Sequence, residues 1–362
     1  MIESKRLLKN IVRMFLNDEN RIGHVMRLDR NERTIPLDKD TIEAVWKTIT
    51  PEEVVAYGNL NPLYDALAKF LNVGKDNILL GSGSDILIKS LFEVYIEEND
   101  EVVILSPSYG MFYVYADTFG AKKVLVGYDK NFNVSVSEFK KAIHAKTRLV
   151  LIANPNHTAS VMPQQDIRAI IEHAAQFNAM VLVDEAYYEF YGETMAAFIN
   201  TYSNLVVSRT FSKAFGIAGL RVGYLISQKE NIKNLEKVRQ THEVTSVSAK
   251  FAEYLLKHPN IFQQYAKDLK ESKEYLRKEC ALLNIETLVS HTNFVFLRLP
   301  AGLDGKEIVQ QLEKRKILIK GPFKDVPIDG LIRITIGPVS QMKEFMKVFK
   351  EIVVNTQTSL KG

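Results

Sequence analysis

The chain has 362 residues, 46% of them hydrophobic, with 47 basic and 43 acidic side chains and a net charge of +4. That length suggests two or three domains, and the charge is spread rather than gathered into a basic block or an aromatic-interleaved stripe, so nucleic acid is not an expected partner. Cys280 is the sole cysteine, the start of the chain mixes charge with apolar residues, and no run of 18 apolar residues exists; no disulfide, metal site, secretory signal or membrane span is expected, and a cytoplasmic setting fits.

Residues 1–35 read as an arm. From about residue 75 to 230, strand and helix patterns alternate. Short β-branched and aliphatic runs predict buried strands over 77–80, 101–105, 123–126, 148–153, 180–183 and 205–208, each followed by a polar or glycine-containing turn and a helical pattern. In the helix predicted over 165–177, Ile167, Ile170, Ile171 and Ala174 share one face. The alternation predicts an α/β fold, a mostly parallel sheet with helices on both sides, in a large domain over 36–245. After residue 245 the pattern changes to amphipathic helices over 247–257 and 260–283. Strands over 292–297, 317–320 and 331–336 and a last helix over 339–354 follow. This predicts a smaller α+β domain over 246–362, its polar tail at 356–359 fraying.

In an open parallel sheet, ligands bind beyond the carboxyl ends of the strands, so the residues just after each apolar run carry the information. After the run 205–208 comes Arg209-Thr210-Phe211-Ser212-Lys213-Ala214-Phe215-Gly216, then Gly219-Leu220-Arg221-Val222-Gly223-Tyr224. A lone lysine there would read as a solvated side chain. A lysine among hydroxyls and glycines, with an arginine eight residues on, suits a phosphate-bearing aldehyde: the amine condenses with the aldehyde, and Thr210, Ser212 and Arg221 can hold the phosphate. Asp184 ends another strand and can pair with a protonated ring nitrogen, and Tyr187 can donate to an oxygen on that ring. Gly83-Ser84-Asp85 sits where backbone N–H groups at a helix start bind phosphate. Tyr109 follows a further strand; alone it reads equally well as core, and with the other motifs as a face stacked on a planar cofactor.

Together these motifs resemble the fold-type-I enzymes that use pyridoxal phosphate, and most closely the histidinol-phosphate aminotransferase branch of the class I and II aminotransferases. The resemblance covers about residues 28–350, rests above all on the segment 208–224, and includes Asp184-Glu185-Ala186-Tyr187, Gly81-Ser82-Gly83-Ser84-Asp85 and Leu28-Asp29-Arg30-Asn31-Glu32. It implies a seven-stranded-type sheet. Lys213 would form the imine with pyridoxal phosphate and shuttle the proton. Asp184 would hold the ring nitrogen, Tyr187 the phenolic oxygen and Tyr109 the ring face, while Ser84, Asp85 through its backbone, Thr210, Ser212 and Arg221 would hold the phosphate. Tyr57 matches a tyrosine that reaches the cofactor phosphate of a neighbouring subunit, which implies a homodimer. Arg333 matches the arginine that binds the anionic end of the substrate.

The chain departs from the family in ways that bear on substrate. The pattern Asn-Pro-Asn-Asn-Pro-Thr-Gly reads Asn154-Pro155-Asn156-His157-Thr158-Ala159-Ser160, so His157 stands where the family has an asparagine that donates to the phenolic oxygen. A second anion-binding arginine is replaced by Lys320, which keeps the charge and loses the bidentate fork. Arg30 and Arg33 lie in the arm, which lacks the family's phosphate-binding tyrosine. These departures argue against histidinol phosphate itself. The resulting expectation is amino transfer on a small phosphorylated substrate, with decarboxylation of a phosphorylated amino acid as the alternative.

Overall fold

The computed structural model describes residues 4–9, 11, 21–23 and 25–359. Most of the arm expected before residue 21 lies outside these residues. Among the described residues, seven strands form one sheet: β1 (Ile78–Gly81), β2 (Glu101–Ser106), β3 (Lys122–Gly127), β4 (Thr147–Ala153), β5 (Met180–Asp184), β6 (Leu205–Thr210) and β7 (Gly223–Ser227). Their order is β1-β7-β6-β5-β4-β2-β3. Six of them match the expected runs to within a few residues.

The strand that periodicity did not single out is β7, which runs antiparallel to both β1 and β6. It begins two residues after Arg221, whose left-handed backbone (φ 51°) turns the chain back toward the sheet. All five of its residues are buried. The other strands pair in parallel.

The strands other than the edge strand β3 serve two cores, because successive side chains point to opposite faces, whereas β3 buries Val126 on one face and exposes Leu125 on the other. Val181 and Val183 join Val150, Ile152 and Val207 on one face, under Ile167, Ile170 and Ile171 of the helix Gln164–Ala175. Leu182 joins Leu149, Leu151 and Val206 on the other, against Leu87, Ile88 and Leu91 of the helix Ser84–Tyr95. The helix Ser246–Lys257 packs Phe251, Ala252 and Leu255 into the first of these cores.

A third core gathers Leu269 and Leu276 of the helix Asn260–Ala281, Val295 and Leu297 of the strand Phe294–Arg298, Ile332 and Ile334 of the strand Ile332–Thr335, and Phe345 and Phe349 of the helix Val339–Ser359. The arm reaches this unit as well. Met26–Arg27 pairs in parallel with Ile317–Leu318, and Leu28 is fully buried there. One expectation is corrected: the last helix does not stop near 354 but runs to Ser359, where Thr356 donates to Ile352 O at 2.9 Å. A hydroxyl returned to the preceding turn satisfies a group that a frayed end would leave to water. No helix among the described residues is long and apolar enough to cross a membrane.

Candidate active site

The carboxyl ends of β1, β2, β4, β5 and β6 deliver the expected residues to one crevice. Lys213 follows β6 directly. Its Nζ donates to Arg30 O at 3.2 Å and stands 5.7 Å from the centre of the Tyr187 ring. Burial and the charge of Arg333 pull its pKa down to about 8, against the opposing pull of Glu32 and Asp184. At pH 7 about a tenth of it is then the neutral amine, far more than for an ordinary lysine. Since the neutral amine attacks an aldehyde, uptake of pyridoxal phosphate by the cofactor-free protein should quicken as pH rises and level off above about 8. Stopped-flow absorbance checks this; a rate still climbing steeply above pH 9 would contradict it.

Asp184 closes β5 and is buried. In the register of the sheet it stands opposite Ser208 of β6, and Ser208 Oγ donates to Asp184 Oδ1 at 2.7 Å. Burial pushes the carboxyl up to about 6 despite that hydrogen bond, which leaves it ionised at neutral pH. Directly beyond, Glu185 takes Arg209 into a buried ion pair at 2.9 Å and pins the ends of β5 and β6 together. Tyr187 is buried, and burial raises its hydroxyl to about 12. Its oxygen accepts from Asn31 Nδ2 at 2.9 Å.

Tyr109 and His157 lie with their rings nearly parallel, 24° apart at 5.7 Å, and His157 meets Tyr187 edge-on at 6.4 Å. Burial, with the charges of Arg333 and Lys213, drives the His157 pKa down to about 3, so its imidazole is neutral and can donate only one N–H. Tyr109 OH donates to Asp85 Oδ1 at 3.2 Å, and its own proton is held more tightly than usual by burial and by that carboxylate.

The phosphate end is built by close approach. Gly83 caps the helix Ser84–Tyr95 with φ 89°, a conformation that suits glycine. A Cβ on Gly83 would lie 2.5 Å from an Arg221 guanidinium nitrogen, and one on Gly223 would lie 2.2 Å from Ser84 N. Thr210 Oγ1 donates to Ser212 Oγ at 3.0 Å, and Arg221 donates to the same Ser212 oxygen at 3.4 Å. A helix start with free N–H groups, two hydroxyls and an arginine is an anion cradle. Together with the ring faces, the buried Asp184 carboxylate and the amine, this donor set fits pyridoxal phosphate. In Gly223→Ala the new methyl meets backbone and not a yielding side chain. It should cost about 1–3 kcal/mol of stability and at least about tenfold in cofactor affinity, or 1.4 kcal/mol, read by thermal denaturation and equilibrium dialysis. Unchanged affinity would contradict this reading of the cradle.

Arg333 lies across the crevice on the strand Ile332–Thr335 and is buried. It donates to Asp29 O at 3.0 Å, its guanidinium sits 5.0 Å from the Phe294 ring and 5.5 Å from the Phe323 ring, and its Nε has no hydrogen-bond partner. Lys320 exchanges both backbone hydrogen bonds with Arg333, which puts the two side chains on one face, Lys320 being exposed.

Two expected residues stand elsewhere or act differently. The Arg33 guanidinium packs 4.2 Å over Tyr265, and its stem lies against Gly216. Arg30 faces the site through its carbonyl, which accepts from Lys213, while its side chain reaches Asp29 at 3.6 Å. Tyr57, expected to serve a neighbouring subunit rather than its own site, is 81% exposed and stacks on His242 at 3.7 Å. Sequence reasoning assigned no role to Asn31, Ser208, Phe294 or Phe323. Asn31 and Ser208 left a signal, each as a member of a motif, the one in the arm and the other at the start of the segment 208–224. Among the described residues no group of three or more His, Cys, Asp or Glu could hold a metal ion.

Comparison with known proteins gives the family and the fold. The family model for aminotransferase class I and II matches residues 24–349. The histidinol-phosphate aminotransferase of Caldanaerobacter subterraneus subsp. tengcongensis is 32% identical over 359 residues, 98% of this chain and 100% of that one. That of Sulfurisphaera tokodaii is 33% identical over 340 residues, 93% and 92% of the two chains. In fold, the crystal structure of the Sinorhizobium meliloti histidinol-phosphate aminotransferase in complex with pyridoxal-5'-phosphate superposes with a TM-score of 0.87 at 23% identity, covering 98% of each chain.

Proposed function

This chain belongs to the class I and II aminotransferases and is a pyridoxal-phosphate-dependent enzyme, and from that premise we propose that it transfers an amino group to or from a small phosphorylated substrate. The observation that carries the substrate class is Arg333: a buried guanidinium between two aromatic rings, with an unbonded Nε, in the wall facing Lys213. A buried cation of this kind is costly unless it meets an anion, and the fork of an arginine suits phosphate or carboxylate. Lys320, on the same face, adds a second charge nearer to solvent.

Bound in the crevice, the cofactor supplies an aldehyde that carries the amino group and a protonated ring that draws electrons from the substrate Cα. The protein does the rest. Asp184 holds the ring N–H, and Ser208 fixes the carboxylate that does so. Tyr187 and neutral His157 flank the phenolic oxygen, and the faces of Tyr109 and His157 line the ring slot. Ser84, the backbone N–H of Asp85, Thr210, Ser212 and Arg221 hold the phosphate. Lys213, with its lowered pKa, would take the proton from substrate Cα and return it to the former aldehyde carbon of the cofactor, across the nitrogen that joins the two. Arg333 turns the substrate so that the Cα–H bond faces Lys213.

The named relatives make histidinol phosphate the first candidate, whereas His157 and Lys320 point away from it. The test sets histidinol phosphate, O-phosphoserine and O-phosphothreonine against their dephosphorylated forms, with 2-oxoglutarate as acceptor and glutamate formation as readout. At least one phosphorylated compound should exceed its dephosphorylated form by about tenfold or more in kcat/KM, the worth of one charge-assisted contact, and Arg333→Gln should erase the preference. No preference for phosphate in any pair would overturn the substrate class. We also propose a homodimer in the cytoplasm. Exposed Tyr57 continues an apolar run with Val54 and Val55, 64% and 85% exposed, a surface suited to burial against a second copy. The single cysteine, free and buried, fits a reducing compartment.

A further inference from the structure

The segment Asp29–Glu32 crosses the crevice and ties its two walls. Asp29 O accepts from Arg333, Arg30 O accepts from Lys213, and Asn31 uses all four of its polar groups. Asn31 N donates to Thr335 Oγ1 at 3.0 Å, Thr335 Oγ1 donates to Asn31 Oδ1 at 3.2 Å, Asn293 Nδ2 donates to Asn31 O at 3.0 Å, and Asn31 Nδ2 donates to Tyr187 OH at 2.9 Å. The orientation of the amide follows from Thr335. Its buried hydroxyl already accepts from a backbone N–H and needs an acceptor for its own proton. Asn31 Oδ1 is that acceptor, so the amide N–H₂ faces Tyr187. Asn31 is 2% exposed with φ 57°, a left-handed conformation that asparagine tolerates better than most residues.

A phenol that accepts an amide N–H keeps its own proton free to donate in another direction. We propose that Asn31 is a positioning residue for the cofactor: by occupying the Tyr187 oxygen as a donor, it commits the Tyr187 O–H to the phenolic oxygen of pyridoxal phosphate. The proposal rests on the assignment of Tyr187 to that oxygen made above. It also gives the arm a chemical task. The same segment that binds Arg333 and Thr335 on the substrate wall sets the direction of a hydrogen bond on the cofactor wall. Arg333, Asp184, Lys213 and His157 also border Tyr187 and act on it through charge or ring contact, so the test must separate Asn31 from them.

Asn31→Asp is nearly isosteric, keeps the Thr335 bond and replaces the donor by an acceptor, which turns the Tyr187 proton away from the cofactor. The readouts are the pH titration of visible absorbance in the cofactor-loaded protein and cofactor affinity by equilibrium dialysis. A donor to the phenolic oxygen favours its ionised form, so losing it raises the titration midpoint. Tyr187→Phe and Asn31→Asp should each raise it by about one unit, a tenfold change in the proton equilibrium. The double variant should rise no further than Tyr187→Phe alone. Asn31→Gly, which keeps the left-handed backbone and removes the amide without adding charge, should give less than half of that shift. An Asn31→Asp shift that persists in full on the Tyr187→Phe background would be the field of the new carboxylate and would overturn the inference. No shift from Asn31→Asp alongside a clear shift from Tyr187→Phe would overturn it too, with the cofactor assignment intact. No shift from Tyr187→Phe would sink the assignment itself.

Discussion

Lys213→Ala should lower kcat by about 10⁴-fold while leaving the fold intact. Two losses combine: the amine that anchors the cofactor covalently, and the base that moves the Cα proton, which alone is worth roughly 10²–10⁴. The fold should not suffer, because the native site disfavours the charged amine. The lowered pKa of Lys213 means that burial and Arg333 work against its ammonium form. The sign is testable. Between pH 8 and the ordinary lysine value the unfolded chain binds more protons at this position than the folded one, so Lys213 makes stability rise with pH in that window. The alanine variant should lack this contribution and melt no lower at pH 7. A variant that turns over within tenfold of the parent would contradict the assignment, and one that melts well below it would leave the loss open to a structural cause.

Asp184→Asn should be nearly as damaging, by a different route. Asp184 is buried, ionised at neutral pH and held by Ser208. On the proposed assignment its partner is the ring nitrogen of the cofactor, which a carboxylate stabilises in its protonated form. Removing one member of a buried charge pair costs about 3–5 kcal/mol, and a loss of that size in the transition state corresponds to a fall in kcat of about 10²–10⁴-fold. The loss should appear mainly in kcat and in cofactor affinity, with little change in substrate KM, since the residue proposed to hold the substrate, Arg333, stands on the opposite wall. Asp184→Glu keeps the charge at the wrong reach and should recover part of the rate. Equal losses in the Asn and Glu variants would show that packing, not charge, is what matters at this position.

The sheet and most of the site were legible because they are local in the sequence. Strand runs stood out by composition, and a ligand crevice sits where such runs end. That rule singled out Lys213, Asp184, Tyr187 and Arg221 before any contact was known, and the crevice brings them together. What was not legible depends on partners far apart in the chain. Nothing in Met26-Arg27 indicates a pairing with Ile317-Leu318. Ser208 acts on Asp184 because β5 and β6 are neighbours in register, which periodicity does not specify. Arg33 was weighed as a substrate ligand from its charge, yet its guanidinium rests on Tyr265, a residue more than 200 positions away. Asn31 was visible only as half of a motif, and its role emerged from four hydrogen bonds to three distant residues.

The direct measurement is borohydride reduction of the cofactor-loaded protein followed by peptide mapping. One phosphopyridoxyl group is expected, on the peptide that contains Lys213 and at that side chain. A label on another lysine, or none at saturating cofactor, would contradict it.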